Sequence, residues 1–171
     1  MKVAATPAPR GAPAPDEPLR ALRRVALAAV HPGGEALYDD LVAELADALG
    51  AAAAFVTVFV DDACSVARTL AARLDGRALA TFEYTIAGTP CAQVRGRDFR
   101  YVAAGVAAEF PPGTIFAAHG MDSYAAVPLA ASDGQPLGML VVMDRRPVAG
   151  GDAAHAEAML KVVAGRLAAE I

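Results

Sequence analysis

The chain has 171 residues, 56% of them hydrophobic and 20% charged, with a formal net charge of −4. A length of this order sets one domain as the default and lets a fold bury about two-thirds of the surface its unfolded chain exposes, so neither a disulfide nor a metal is needed to hold it together. The acidic balance argues against a nucleic-acid binder, which would present a basic face, and Arg20, Arg23 and Arg24 read as a solvated helix surface.

The mean hydropathy of +0.37 raises the question of a membrane, but much of that apolarity is alanine. The strongest apolar run, Ala51 to Val60 with Thr57 inside it, is far short of the roughly 20 residues a spanning helix needs. It reads as a buried strand. Pro7, Pro9, Pro13 and Pro15 interrupt the stretch where an export signal would need an unbroken apolar segment. The two cysteines, Cys64 and Cys91, have no spacing that suggests a disulfide framework or a zinc site. A soluble, cytoplasmic protein is expected.

Residues 1–17 are rich in Pro and Ala and read as a disordered tail, because so few large apolar side chains cannot offset their own ordering entropy. The domain is expected over 18–171. A short helix begins at Pro18, with Leu19, Leu22, Ala26 and Ala29 at helical spacing, and the segment from His31 to Gly34 breaks it. A clearer amphipathic helix runs from Glu35 to Leu49, with Leu37, Leu41, Leu45 and Leu49 on one stripe and Gly50 as its stop. Phe55–Val60 is a strand ended by Asp61-Asp62. A second strand carries Val66, Leu70 and Leu74 on one side, and Asp75-Gly76 turns into a third, Ala78–Tyr84. These strands are too apolar for a half-exposed sheet, so both faces are expected to be covered.

The middle is less regular. Thr89 reads as the N-cap and Pro90 as the first residue of a short helix holding Cys91. Phe99–Ala103 reads as a short strand, and Gly105–Phe110 and Gly113–His119 as short helices separated by Pro111-Pro112. Tyr124–Leu129, the turn Asp133-Gly134 and Leu137–Met143 form a hairpin, and Asp152 caps a final helix to Glu170 with Ala156, Leu160, Val163 and Leu167 on its inner stripe. Tight turns between successive strands imply an antiparallel α+β sheet.

Three stretches of this order carry a family resemblance: Tyr84 to Cys91, Ser123 to Leu129, and Asp133 to Asp144 with its Gly138-Met139-Leu140 core. Together with Phe110-Pro111 they resemble the GAF domains of bacterial sensor kinases and related signalling proteins. The resemblance implies a central antiparallel sheet of about six strands, terminal helices on one face, and a helical insert over a pocket on the other. It also implies a small-molecule-sensing or regulatory role in signal transduction. The ligand-binding candidates are Phe82, Tyr84, Thr89, Cys91, Tyr101, Phe110, Phe116, His119 and Tyr124, whose aromatic faces, hydroxyls and imidazole would stack on and orient a ligand.

No catalytic residue or metal ligand is expected. His31, His119 and His155 are far apart and lack chelating neighbours, and Asp61-Asp62 ends a strand. Cys91 at a helix start reads either as a reactive thiol with a lowered pKa or as a small buried apolar residue. The two cysteines do not resemble the set used by GAF proteins that reduce free methionine sulfoxide, so an enzyme ranks third among the readings. The alternative to a sensor is a ligand-free dimerisation module. In both cases a homodimer is expected through the alanine-rich helices at 35–49 and 152–170.

Overall fold

The computed structural model describes residues 17–30, 33–94, 96–110 and 118–171. Residues 1–16 of the expected tail, the segment around Pro111-Pro112 and Phe116 lie outside these residues, and Glu17 begins the first helix. The elements run α1 (Glu17–Ala28), α2 (Glu35–Leu49), β1 (Ala53–Phe59), β2 (Val66–Leu74), β3 (Arg77–Ala78), β4 (Glu83–Thr85), a 3-10 turn (Pro90–Gln93), β5 (Arg100–Val102), α3 (Val106–Glu109), β6 (Ser123–Ala130), β7 (Pro136–Asp144), a second 3-10 turn (Val148–Gly151) and α4 (Ala153–Ala168). All strand pairs are antiparallel, and the order is β3-β2-β1-β7-β6-β5 with β4 beside β2.

The central strands are buried on both faces, so side-chain alternation sorts their residues into two cores. Ala54 and Val56 of β1, Ala125, Val127 and Leu129 of β6, and Leu140 and Val142 of β7 face the helices. There they meet the leucine stripe of α2 (Leu37, Leu41, Leu45 and Leu49) and Ala156, Leu160, Val163 and Leu167 of α4. The residues between them, including Phe55, Tyr124, Ala126, Met139, Val141 and Met143, face the other way, toward Ile86, Cys91, Val94, Val106 and Met121 of the insert. The expectation of a sheet covered on both sides is met.

Three local expectations are corrected. First, β2 does not keep one face throughout. Val56 pairs with Ala71 and Thr57 with Thr69, leaving Leu70 as the extra residue of a bulge. A bulge shifts the alternation by one, so Leu70 packs with the helix-side core and Leu74 with the insert-side core. Second, the single third strand is two short ones. β3 and β4 pair with opposite ends of β2, and between them Thr69, beside the bulge, bonds to the Phe82 backbone. Third, α1 buries Ala21, Val25 and Ala28, and its Leu19 and Leu22 are exposed. The leucine spacing is helical, but the smaller residues fit against α2 and α4.

Two contacts fix the ends of this arrangement. The Arg166 guanidinium donates to the Ala29 carbonyl (3.0 Å) and to Glu170 (2.8 Å), and the other Glu170 oxygen accepts from the Gly34 amide (2.9 Å). One ion pair on α4 therefore holds the end of α1 and the start of α2. On the opposite side Arg145, just after β7, forms a two-pronged ion pair with Asp75 (2.8 and 2.9 Å) and donates to the His119 carbonyl at 3.1 Å. Asp75 sits in the left-handed region (φ 50°) before Gly76 (φ 77°), the geometry of the expected tight hairpin turn.

Gly138 marks a close backbone approach between β7 and β1. It stands opposite Val58, and a Cβ there would lie 1.8 Å from the Thr57 carbonyl oxygen. The neighbour is backbone and has no rotamer to retreat into. Gly138→Ala is expected to destabilise the fold by about 3 kcal/mol or more, at or beyond the upper end for overpacking. Urea unfolding measures it, and a change within experimental error would show that β1 and β7 can move apart.

Candidate functional site

The insert-facing side of the sheet holds the candidate site. Tyr124, opposite Val102 on β5 and Met143 on β7, is fully buried. Tyr84 arrives from β4 and lies edge-on to Phe55, with ring centroids 6.4 Å apart at 88°. Cys91 is delivered by the 3-10 turn that Pro90 starts. The three side chains converge: the Tyr124 hydroxyl donates to the Cys91 sulfur at 3.5 Å, and the Tyr84 hydroxyl lies 3.5 Å from the same sulfur. Thr57 adds a fourth polar group, with its hydroxyl donating to the Met139 carbonyl at 3.3 Å.

Burial dominates the electrostatics of this cluster. It pushes both tyrosine hydroxyls well above their ordinary range, with a further rise from the neighbouring Cys91. It also pushes the Cys91 thiol up, and this outweighs the lowering by hydrogen bonds from Tyr124, Tyr84 and Thr89. Of the two readings of Cys91, this setting suits the small buried residue. A low-pKa thiol needs an exposed, electropositive setting, and Cys91 is 1% exposed on a single 3-10 turn. The expected cap is also missing: the Thr89 hydroxyl donates to the Ile86 carbonyl (2.6 Å) and does not cap the turn.

Two of the remaining candidates join this face. Phe82 and Phe110 are half-buried against the same cluster, and Phe82 stands 6.0 Å from the Tyr84 ring. Tyr101 is a correction. It pairs with Ala125, a helix-facing residue, so alternation sends it to the helix side. There it stacks on Phe99 at 6.2 Å and donates to the Val148 carbonyl at 3.0 Å. His119 is exposed, and its part in the described structure is the carbonyl that Arg145 holds. Phe116 lies outside the described residues.

The sequence reading passed over Phe55, Thr57 and Arg100. Alternation across the short strand Arg100-Tyr101-Val102 was the signal available for the last of these, since placing Tyr101 on one face places Arg100 on the other. Among the described residues no group of three or more His, Cys, Asp or Glu is placed to hold a metal ion. No described helix is long and apolar enough to cross a membrane.

Comparison with known proteins gives the same architecture. The chain matches none of the curated proteins. Among solved structures it is similar to free methionine-R-sulfoxide reductase from Neisseria meningitidis, solved in complex with its substrate. That pair shares 20% identity and a TM-score of 0.65 over 95% of this chain and 96% of the other. It is similar to the GAF domain of a phosphoenolpyruvate-protein phosphotransferase from Coxiella burnetii, at 20% identity and TM-score 0.63 over 90% and 92% of the two chains. The chromophore-binding domain of a bacteriophytochrome from R. palustris is a third, at 14% identity and TM-score 0.65, with 91% of this chain spanning 63% of that one. Likeness at these identities establishes the fold alone. The family model described as GAF domain matches residues 34–171, nearly everything after α1, and the chain belongs to the GAF domain family.

Proposed function

We propose that this GAF domain is a regulatory module that binds a small molecule between the sheet and the insert, and that it is not an enzyme. The observation that carries the reading is the convergence of Tyr84, Tyr124 and Cys91 on a face otherwise built from apolar residues. A few fixed polar groups in an apolar, aromatic wall are what a small-molecule site needs to orient its ligand. Met121, Met139 and Met143 line the same face, and their flexible thioethers let a wall adjust to an inserted group. GAF domains are a general signalling and ligand-binding family, which agrees with this reading.

The non-enzymatic part rests on Cys91. Burial pushes its thiol pKa up, and a protonated thiol is a poor nucleophile. At mildly alkaline pH, iodoacetamide is expected to leave Cys91 unmodified in the folded protein and to alkylate it rapidly in urea, as read by peptide mass spectrometry. Fast alkylation of the folded protein would contradict this.

The binding part is tested by thermal shift against nucleotides, aromatic acids and tetrapyrroles. A ligand present at about 100-fold its Kd stabilises by roughly 2.7 kcal/mol, a clear rise in melting temperature. The chain has no tryptophan and 4 tyrosines, so quenching of tyrosine emission should accompany binding. A panel in which no compound raises the melting temperature would remove the support for a sensor.

The alternative, a module that pairs with a second copy through its helices, is favoured by one observation. Leu19, Leu27 and Val30 at α1 and just beyond it are 72%, 54% and 77% exposed. Val162 on α4 is also exposed, whereas the outer face of α2 carries Asp39, Asp40 and Asp47. On this reading α1 and α4 supply the contact in place of α2. Light scattering at micromolar concentration is expected to give a dimer that Leu19→Glu with Leu27→Glu converts to a monomer. A monomeric parent would exclude it.

A further inference from the structure

Alternation in the β5–β6 ladder fixes the side on which Arg100 stands. Arg100 pairs with Ala126 and Val102 with Tyr124, so Arg100 shares the insert-facing side with Tyr124. Its positive charge offsets part of the rise that burial imposes on the Tyr124 hydroxyl. A guanidinium in such a place needs acceptors for its N–H groups. The partner it has is Glu109, the last residue of α3, whose Oε2 lies 3.2 Å from Nη2.

That pairing is incomplete. The Arg100 Nε is buried and has no hydrogen-bond partner among the described residues. Nε and Nη2 lie along one edge of the guanidinium, and their spacing matches the two oxygens of a carboxylate, which such an edge binds through two parallel hydrogen bonds. Glu109 uses one of these two donors. The exposure is also unequal, with 17% of the Arg100 side chain accessible against 49% for Glu109. The anion in place is the outer, half-solvated member of the pair, on a four-residue helix that starts after Gly105 in the left-handed region (φ 83°). A buried donor without an acceptor carries a desolvation cost, and an occupant offering two oxygens would remove it.

We infer that Arg100 reads the carboxylate of a small organic acid bound in the insert-covered site, the acid taking the Nε–Nη2 edge and displacing Glu109. The inference rests on the sensor reading above and deepens it by naming the ligand class. Carboxylate is the class chosen because the protein itself seats a carboxylate against this edge. The exchange also supplies a signal: once Glu109 is displaced, α3 loses its ion pair to β5, so occupancy of the site is reported at the insert.

The test uses benzoate and its neutral isostere benzamide, titrated into the millimolar range against the full chain labelled with ¹⁵N. The readouts are the Arg100 Nε–H resonance, assigned by its loss in Arg100→Lys, and the ring resonances of Tyr84 and Tyr124. Benzoate is expected to shift the Nε–H signal saturably, and benzamide to leave it in place. Arg100→Lys, which keeps the charge and loses the fork, should weaken benzoate about tenfold or more. Glu109→Gln, at an exposed position, should tighten it about two- to fivefold by removing the competing anion. If both probes move the tyrosine resonances equally while Nε–H stays still, the site binds ligands but Arg100 does not read charge, and the inference falls alone. If neither probe moves any resonance on the insert face, the inference falls, and the sensor reading is decided by the thermal-shift panel.

Discussion

The structure depends on the double-sided burial of β1, β7 and β6. Each strand is packed on both faces, so each residue is committed by parity alone to the helix core or to the insert core. A slip of one residue would send Leu140 and Val142 to the insert and Met139, Val141 and Met143 to the helices, exchanging two differently shaped sets. The approach of Gly138 to the Thr57 carbonyl locks the β1–β7 register that prevents this slip. Phe55, Thr57 and Tyr124 take their directions from the strand registers, and Tyr84 and Cys91 are brought to them by β4 and the 3-10 turn.

The two faces do different physical work. The helix side is nearly all aliphatic, with α2 and α4 stripes meeting Ala, Val and Leu from the sheet. Its polar ties include the rim contacts of the Arg166–Glu170 pair with Ala29 and Gly34 and the Tyr101 hydroxyl on the Val148 carbonyl. The insert side mixes methionines and aromatic rings with buried hydroxyls, a thiol and a guanidinium. Buried polar groups reduce stability unless every one is satisfied, and Arg100 Nε is not. Polar groups concentrated on one face of an otherwise apolar sheet are what supports the proposal of a recognition site there. The Arg145 clamp to Asp75 and His119 ties the His119 backbone to the β2–β3 turn.

Much of this was legible before any coordinates. The leucine stripe of α2, the Asp133-Gly134 hairpin and the Asp152 cap each follow from local rules of period, turn chemistry and capping. The Leu70 bulge was not legible, because nothing in Val66–Leu74 says that one residue is unpaired. The position of α1 was misread for a related reason. Its leucines repeat at helical spacing, but the packing partners accept Ala21 and Val25, and only the neighbours decide that. In the site, Tyr84, Cys91 and Tyr124 were found as types but not as a cluster, since their convergence depends on β4, the 3-10 turn and β6 meeting across the sheet. Tyr101 and Arg100 were exchanged in importance by the parity of a three-residue strand.

The central claim is that the insert-facing wall receives a small molecule. The most direct measurement is a crystal structure of the protein with the compound that stabilises it most. The account predicts that compound between sheet and insert, in contact with Tyr84 and Tyr124 and with an acidic group on Arg100. A compound seated among α1, α2 and α4, with the tyrosine–thiol cluster unchanged and closed, would contradict it.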